Sequence, residues 1–482
     1  MTGWRLEHTY AELPSLFPAE ATPAVVREPR MVVFNHRLAA ELGLDGAKLD
    51  SPEGAALFAG NTLPDGARPL AQAYAGHQFG HFTTLGDGRA ILLGEQVTPT
   101  GARADIQLKG SGRTRYSRRG DGRAALGPML REYIISEAMQ ALGIPTTRSL
   151  AVVATGEAVA RERVQPGAVL VRVAASHIRV GTMQWAAAHE DTPALRALAD
   201  YTQARHYPDL AAGADRYAAL FTAILGRQAA LIAQWQCVGF IHGVMNTDNM
   251  ALSGETIDYG PCAFMDAYDP GTVFSSIDEA GRYAYANQPP IAQWNLARLA
   301  EAMLPLFDDD RDRAVEWATD AIGRFPEVYE RHWLDGMRAK LGLFTAEPDD
   351  AALVHDLLAL MHRHSADFTN TFRLIATGHI SSGASEFDEA LAAWHARVDA
   401  RRARQPQSTE EAIALMRRHS PAFIPRNLNV EEALAAATTS GDLSVMHRLL
   451  EVLATPWDHD RELPAFSGLR PSAPSYRTFC GT

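Results

Sequence analysis

HGVMNTDN at residues 242–249, followed by IDYG at residues 257–260, decides the fold, because it interrupts a long series of helical patterns. The apolar residues between Asp248-Asn249 and Asp258 predict two short strands joined by a turn, that is, a β-hairpin. Such a hairpin brings one amide and two carboxylates together at its open end. Side-chain oxygens of Asn and Asp are the ligands that a divalent metal bridging phosphates requires. The stretch therefore predicts a site for a metal ion and a phosphorylated ligand.

Protein kinases supply their metal ligands from a similar pair of motifs, the catalytic loop H-x-D-x-x-x-x-N and the D-F-G that follows it. Here Asn249 and Asp258 stand at the two metal-binding positions. Five residues before Asn249, where a kinase has its catalytic aspartate, this chain has Val244, and the carboxylate lies instead at Asp248. A kinase that lacks its positioned base is badly impaired. The motif therefore predicts a nucleotide and metal site with altered chemistry.

Upstream, a lysine and a glutamate-bearing helix follow each other in the order found in kinases. Lys109 ends the predicted strand DIQLK, and a helix predicted over residues 128–142 carries Glu132 and Glu137. In isolation, Lys109 would be expected to extend into solvent. Followed by such a helix, it is predicted to pair with a glutamate that orients it onto nucleotide phosphates. Both glutamates lie at the borders of the apolar face of the helix, so periodicity does not choose between them.

Two further segments favour an anion site. The glycine-rich stretch YAGHQFGHFTTLGDGRA at residues 74–90 would let backbone come close to a ligand, although residues 86–88 taken alone are more typical of a hairpin turn. It fits neither the dinucleotide-binding nor the P-loop pattern. A basic loop follows Lys109, with a solvated surface loop as the alternative, and contains Arg113, Arg115, Arg118, Arg119 and Arg123. Arg172 and Arg179 are additional candidates, each alone more typical of a surface or bridging arginine.

Composition excludes several classes of protein. The 482 residues include 45 basic and 57 acidic side chains, a net charge of -12, with 46% hydrophobic and 21% charged residues. This is ordinary globular composition, and the acidic balance argues against a nucleic-acid partner. No apolar run is long enough for a membrane span, and the first residues resemble neither a secretory signal nor a transit peptide. We therefore expect a cytoplasmic protein without a membrane partner.

The order of patterns predicts an α+β chain in four segments. Short apolar runs bounded by Gly or Pro predict strands at residues 89–95, 105–110, 150–155 and 168–174. Helical spacing of apolar residues dominates after residue 186, with helices predicted at 218–236, 292–306, 311–324, 349–363, 388–401 and 430–452. The predicted segments are an N-terminal extension at 1–65, a strand-rich lobe at 66–185, a helical lobe at 186–400, and a helical extension and tail at 401–482.

Long and unusual strings in this chain resemble the selenoprotein O family (the SelO or YdiU family), atypical pseudokinases that act as protein adenylyltransferases. The similarity covers nearly the whole chain and is carried by YAGHQFG, DIQLKGSGRTRYSR, GDGRA, LREYIISEAM, LGIPTTR, HGVMNTDNM, TIDYGP, DAYDPG, IPRN and TFCGT. The resemblance implies a protein-kinase-like two-lobed fold. It also implies a nucleotide bound in a flipped orientation, with the α-phosphate exposed to the acceptor and the γ-phosphate buried.

The resemblance also implies roles for individual residues. The family's nucleotide-contacting positions correspond to Gly86, Gly88, Arg89, Lys109, Asp121, Gly122, Arg172, Arg179 and Asp258. Glu132 corresponds to the helix glutamate that orients Lys109. Asn249 and Asp258 correspond to the metal ligands, and Asp248 corresponds to the proposed proton acceptor.

The implied reaction transfers AMP from ATP, with UMP from UTP as a second donor, to Ser, Thr or Tyr hydroxyls of proteins, releasing pyrophosphate. Autoadenylylation is expected, and Mg²⁺ or Mn²⁺ is the expected cofactor. Two alternatives remain open. A kinase acting on a protein or a small molecule is disfavoured by Val244, and a non-catalytic nucleotide-binding scaffold is disfavoured because Lys109, Asn249 and Asp258 are all retained.

Cysteine usage suggests one regulatory hypothesis. The chain has three cysteines and no CxxC pair, which argues against a disulfide framework or a cysteine-based zinc site. Some members of the family carry a selenocysteine or a redox-active cysteine pair involving the C-terminus. By that resemblance Cys262 and Cys480 would form a redox switch, whereas two ordinary thiols are the simpler interpretation.

Overall fold

The computed structural model describes residues 2–211, 213, 215–377, 385–468 and 476–479. Thirteen strands occur in this part of the chain: β1 Leu6–Glu7, β2 Pro18–Glu20, β3 Arg30–Phe34, β4 Leu70–Gln72, β5 Ala75–Gln78, β6 His81–Thr84, β7 Ala90–Val97, β8 Arg103–Lys109, β9 Ala124–Ala125, β10 Arg148–Ala160, β11 Val164–Ala174, β12 Phe240–Ile241 and β13 Ala263–Phe264. The fold is mixed α+β, as predicted.

Most helices follow the strands. They are α1 His36–Glu41, α2 Gly46–Leu49, α3 Pro52–Ala59, α4 Leu126–Ala141, α5 Val180–Ala188, α6 Thr192–His206, α7 Arg216–Val238, α8 Gln288–Phe307, α9 Arg311–Gly323, α10 Phe325–Lys340, α11 Asp350–Arg363, α12 Phe368–Thr377, α13 Glu386–Arg402, α14 Thr409–His419, α15 Asn427–Thr439, α16 Ser444–Leu453 and α17 Pro464–Ser467. Within the described ranges, no helix is long and apolar enough to cross a membrane.

A nine-stranded antiparallel sheet organises the first part of the chain, in the order β2-β4-β7-β8-β11-β10-β3, with β1 paired to β7 and β9 paired to β11. The four predicted strands correspond to β7, β8, β10 and β11, and the helix predicted over 128–142 corresponds to α4. Residues 1–65 supply β1, β2 and β3 and are therefore built into the sheet rather than attached to it. The proposed boundaries at 65, 185 and 400 stay predictions.

The two faces of the sheet differ in polarity because strand side chains alternate. Ile106 and Leu108 of β8 are fully buried in an apolar cluster with residues of α1, α2 and α3. Gln107 and Lys109, which alternate with them, point to the opposite face and are both buried. Arg172 of β11 is buried as well. Burying such groups is costly unless they are paired. These buried polar side chains of β8 and β11 therefore need hydrogen-bond or ion-pair partners on the same face of the sheet.

The hairpin predicted within residues 248–258 does not form. A turn is present, since the N–H of Gly254 donates to the carbonyl of Ala251 at 3.1 Å. Its two arms pair with other segments, however: Ala251 bridges to Arg179 just before α5, and Thr256 bridges to Thr146 just after α4. The arms find their backbone partners in the chain on either side, so they do not pair with each other. The small antiparallel pair in this region is β12 with β13.

The single helix predicted over 430–452 is also wrong. The chain forms α15 and α16 with a break between Thr439 and Ser444. Gly441 lies in this break with φ of +71°, a left-handed conformation that glycine adopts without strain. The apolar spacing continues across the break because both helices bury residues in one cluster, including Val430, Ala433 and Leu449.

Candidate active site

Lys109 and Glu132 form a buried ion pair between the sheet and α4. Lys109 Nζ donates to Glu132 Oε2 at 2.6 Å. Arg172 from β11 donates through Nε to the other oxygen of Glu132 at 2.8 Å. Glu137, one turn and a half further along α4, pairs instead with Arg148 at 2.7 Å. The choice that periodicity left open therefore falls on Glu132, because the direction of the helix points Glu132 at the polar face of the sheet.

Asp258 lies at the centre of three cationic side chains. Its Oδ1 accepts from Lys109 Nζ at 2.8 Å and from Arg172, and its Oδ2 accepts from Arg179 Nη1 at 2.9 Å. Burial alone would raise the pKa of Asp258, but Arg172, Lys109 and Arg179 together hold it well below its usual range. The residue has φ of +64°, a left-handed conformation that is costly outside glycine and typical of functional sites. Asp258 is thus ionised and rigidly oriented.

Asp248 lies in a short 3-10 turn at Thr247–Asn249 and is buried. Its backbone carbonyl accepts from Arg179 Nη1 at 2.7 Å. Its Oδ2 lies 3.5 Å from the Gln78 amide nitrogen, and within the described part of the chain its Oδ1 has no hydrogen-bond partner. Burial raises the pKa of Asp248 to about 6, against the opposing effect of Arg179. A carboxylate with that pKa can accept a proton near neutral pH.

Val244 stands at the position where kinases have their catalytic aspartate, and it contributes only its backbone here. Asn249 donates from Nδ2 to the carbonyl of Val244 at 2.9 Å. This bond fixes the amide so that its oxygen is the atom left for a ligand. His242, at the start of the motif, stacks on Trp235 and bonds to the carbonyl of Ile257, so it supports the loop rather than the chemistry.

β5 and β6 cover this loop and bring glycine against Asp248. The N–H of His77 donates to Thr247 Oγ1 at 2.7 Å. A Cβ added to Gly76 would lie 2.8 Å from Asp248 Cγ and 2.9 Å from its Cβ, closer than ordinary contact. Gly76 was not singled out in the sequence, although it lies within the quoted YAGHQFG. No local signal marks it, because the crowding depends on a residue far along the chain.

Two glycines predicted to contact a nucleotide, Gly86 and Gly88, pack against the basic loop that follows Lys109. A Cβ on Gly86 would meet the ring of Tyr116 at 2.7 Å, and one on Gly88 would meet the Tyr116 carbonyl at 2.8 Å. Arg89 is half-buried and contributes its carbonyl to the N–H of Gly110 at 2.7 Å. The nucleotide contacts predicted for Gly86, Gly88 and Arg89 stay predictions.

Asp121 pairs with an arginine outside the Lys109 cluster, and Gly122 forms a tight turn. Asp121 is partly exposed and pairs with Arg161 at 2.9 Å, and the hydrogen bond from Arg161 lowers its pKa. Gly122 has φ of +70° and packs against the backbone of Gly112, as a tight turn requires. The roles predicted for both residues by resemblance stay predictions.

Sequence reasoning missed a second buried carboxylate, Asp87. Its Oδ2 accepts from the N–H of Gln72 at 3.2 Å and from Gln107 Nε2 at 3.1 Å. Gln107 Oε1 in turn accepts from Arg172 at 3.4 Å. Burial raises the pKa of Asp87 to about 6, with Arg179 opposing the shift. The alternation of β8 places Gln107 on the face of Lys109, which was the available signal; nothing local marked Asp87.

The arrangement suits anionic phosphates together with a divalent cation. Lys109, Arg172 and Arg179 converge on one point, whereas only Glu132 and Asp258 are held ionised by strong pairing. Three cationic side chains at one point can donate several charge-assisted hydrogen bonds to phosphate oxygens. No group of three His, Cys, Asp or Glu side chains among the described residues would hold a metal by itself. The oxygens of Asn249 and Asp258 fit a hard cation whose remaining ligands are phosphate oxygens.

Such a cluster of charges suits an enzyme that acts on a phosphorylated ligand, and comparison with known proteins identifies the family of the chain. The model of the family described as "Protein adenylyltransferase SelO" matches residues 3–454. The chain belongs to this family, and the predicted class of enzyme, a protein adenylyltransferase, is confirmed.

Three relatives, each named "Protein nucleotidyltransferase YdiU", show how far the likeness extends. The protein of Halalkalibacterium halodurans is 60% identical over 482 residues, covering 100% of this chain and 98% of the relative. That of Brevibacillus brevis is 59% identical, with coverages of 100% and 98%. That of Anoxybacillus flavithermus is 59% identical, with coverages of 100% and 99%. The resemblance read from the sequence motifs is therefore confirmed along the whole chain.

Of the two cysteines in the predicted redox switch, the structure describes Cys262. Cys262 is fully buried, and burial raises the pKa of its thiol to about 12, so it is not a reactive thiolate in this arrangement. The hydroxyl of Thr478 donates to the carbonyl of Pro261 at 2.6 Å, so Thr478 lies beside the Cys262 segment. Cys480 lies outside the described residues, and the pairing stays a prediction.

Proposed function

We propose that this enzyme transfers AMP from ATP to Ser, Thr or Tyr hydroxyls of proteins and releases pyrophosphate. The observation that carries the proposal is the position of the buried carboxylate. Asp248 has an unpartnered Oδ1 and a pKa raised by burial to about 6, whereas Val244 stands where a kinase needs its aspartate. We therefore expect the acceptor hydroxyl to attack the α-phosphate of ATP rather than its terminal γ-phosphate.

The three cationic side chains would bind the triphosphate. We propose a kinase-like pair of lobes, 66–185 and 186–400, enclosing the nucleotide with its γ-phosphate in the interior. Arg172 and Arg179 are buried beside Lys109, which supports this orientation, because they add positive charge deep in the site beyond the lysine that kinases also have. In a site that excludes water, each charge-assisted contact is stronger than at the surface.

Asn249 and Asp258 would hold the metal ion through their side-chain oxygens. Bound Mg²⁺ or Mn²⁺ would neutralise charge on the phosphates and on the departing pyrophosphate. The Asn249 amide is already fixed by its bond to Val244, and Asp258 is ionised by its cationic neighbours. The Asn249 amide is thus oriented for metal ligation, and Asp258 is in the ionised form that ligation requires.

The chemical step would begin with the acceptor hydroxyl beside Asp248. Asp248 Oδ1 accepts the hydroxyl proton as the oxygen attacks the α-phosphorus. The bond from the α-phosphorus to the bridging oxygen then breaks, and pyrophosphate leaves with that oxygen. Help from a general base is typically worth about 10²–10⁴-fold in rate. UTP would be accepted as a second donor, hydroxyls of the enzyme itself would be modified, and a cytoplasmic location is expected.

Product analysis tests the proposal. Purified protein, ATP, Mg²⁺ and a bacterial lysate should release pyrophosphate in proportion to AMP bound to protein, and Asp248→Asn should lower both together. Control reactions without lysate measure autoadenylylation. Release of ADP with phosphate on protein would instead identify a kinase, and hydrolysis without any protein modification would contradict a transferase.

A further inference from the structure

Arg179 has an unusual position, because it is shared between two carboxylates and a stacked ring. Its Nη1 donates to Asp258 Oδ2 at 2.9 Å, and its Nη2 lies 4.0 Å from Asp87 Oδ1. The guanidinium carbon lies 4.6 Å from the centroid of the Tyr74 ring. Within the described residues, its buried Nε has no hydrogen-bond partner. An unsatisfied buried donor is costly, so the guanidinium has not reached its best set of acceptors.

Asp258 has one acceptor direction left for a metal, on Oδ2, while all three cations hold it. Its Oδ1 already accepts two donors, from Lys109 and Arg172, and its Oδ2 accepts from Arg179. A carboxylate oxygen offers about two acceptor directions. A divalent ion on Oδ2 would moreover lie next to the Arg179 guanidinium, and like charges at that distance repel each other. Metal binding on Oδ2 of Asp258 therefore favours the movement of Arg179 to another acceptor.

The other two cations already have such an acceptor. Lys109 and Arg172 are both bound to Glu132 as well, at 2.6 and 2.7 Å, so each has a carboxylate besides Asp258. For Arg179 the neighbouring carboxylate is Asp87, which is almost fully buried. Asp87 is held toward the site by the N–H of Gln72 and the amide of Gln107. The second carboxylate for Arg179 is thus in place, about 1 Å beyond hydrogen-bond distance.

We propose that Asp87 is a positioning residue that receives Arg179 when Asp258 turns to the metal ion. The exchange would leave Arg179 charged and oriented for phosphate, and it would free Oδ2 of Asp258 for ligation. The inference rests on the proposed function, since it presupposes that metal and nucleotide bind here together. It adds a residue that acts through Arg179 rather than on the substrate.

Calorimetry with ATP, with and without Mg²⁺, tests the proposed metal site separately from the positioning role of Asp87. In the wild type, Mg²⁺ should strengthen ATP binding. Asp87→Asn should reduce that enhancement by about tenfold, a typical size for coupling between sites, and should change metal-free binding little. In an Arg179→Ala background, Asp87→Asn should have no further effect on the enhancement. The matched control is Asp350→Asn, which breaks a buried pair with Arg401 in the helical region and should cost stability only.

Each result has a distinct meaning. No enhancement by Mg²⁺ in the wild type would overturn the metal site of the proposed function. A normal enhancement that Asp87→Asn leaves intact would overturn only the role of Asp87, as would an effect of Asp87→Asn that persists without Arg179. A crystal structure of the wild type with Mg²⁺ and a non-hydrolysable ATP analogue decides the matter without any variant. Arg179 should then lie within about 3.2 Å of Asp87; Arg179 still bonded to Asp258 would refute the exchange.

Discussion

Replacing Gly76 by alanine puts a methyl group where Asp248 now lies. Gly76 is in β5, in a conformation that any residue adopts, so the backbone tolerates alanine. The added carbon would be 2.8 Å from Asp248 Cγ, whereas carbon atoms prefer about 3.5–4.0 Å. Asp248 must therefore shift by roughly 1 Å. The strand cannot simply retreat, because the N–H of His77 is bonded to Thr247 at 2.7 Å.

The expected consequence is a loss of rate with binding preserved. A displacement of about 1 Å at a reacting group can cost on the order of 10²-fold. We expect a fall of that size in the initial rate of AMP transfer at saturating ATP and Mg²⁺. The affinity for ATP, measured by calorimetry, should change little, because Lys109 and its partners are not displaced. The control is Gly226→Ala in α7, where an added carbon meets no atom within 4 Å and activity should be unchanged.

Two results would refute this reasoning. A Gly76→Ala enzyme with the full transfer rate would mean that the position of Asp248 does not limit the reaction. A parallel loss of rate and ATP affinity would mean a general distortion rather than a displaced base. In an Asp248→Ala background, Gly76→Ala should lower the rate no further, since the carboxylate whose displacement slows the reaction is already absent.

Other predictions follow from the charged residues of the site. The transfer rate should rise as pH increases through about 6, where Asp248 loses its proton, and a pH profile of Asp248→Asn should lack this rise. The pKa of Asp248 in the folded protein is raised from 3.8 to about 6, so its charge destabilises the fold above about pH 6 and not below about pH 4. In scanning calorimetry, Asp248→Asn should therefore unfold at a higher temperature than the wild type at neutral pH, and at the same temperature near pH 4. Equal unfolding temperatures at neutral pH would contradict the raised pKa. Lys109→Ala should weaken ATP binding at least about tenfold, the loss of a charged contact, and should abolish transfer; full transfer would exclude the site. Asp258→Ala should make ATP binding insensitive to EDTA in calorimetry, whereas retained sensitivity would place the metal elsewhere.

The sequence predicted the elements whose signals are local. Alternation identified β8, and helical spacing with a terminal glycine identified α4, so the lysine and the glutamate helix could be placed on adjacent elements. The choice of Glu132 over Glu137 could not be made from periodicity, because both border the apolar face of the helix. It depends on which side of α4 meets β11, where Arg172 supplies a second partner at 2.7 Å.

Features that depend on distant residues were not predictable. The hairpin over residues 248–258 was wrong because its arms pair with the chain before α5 and after α4, segments that no local pattern links to it. Gly76 and Asp87 have the same explanation, since one is defined by contact with Asp248 and the other by the approach of Arg179. The break at Gly441 was a local signal that the continuous apolar spacing concealed.

The central claim is that this site transfers the nucleotidyl group and not the terminal phosphoryl group. The most direct test compares ATP labelled on the α-phosphate with ATP labelled on the γ-phosphate, using purified protein, Mg²⁺ and a bacterial lysate. We predict label on protein from the α position only, and its loss with Asp248→Asn. Label from the γ position only would show a kinase and would contradict the role assigned to Asp248.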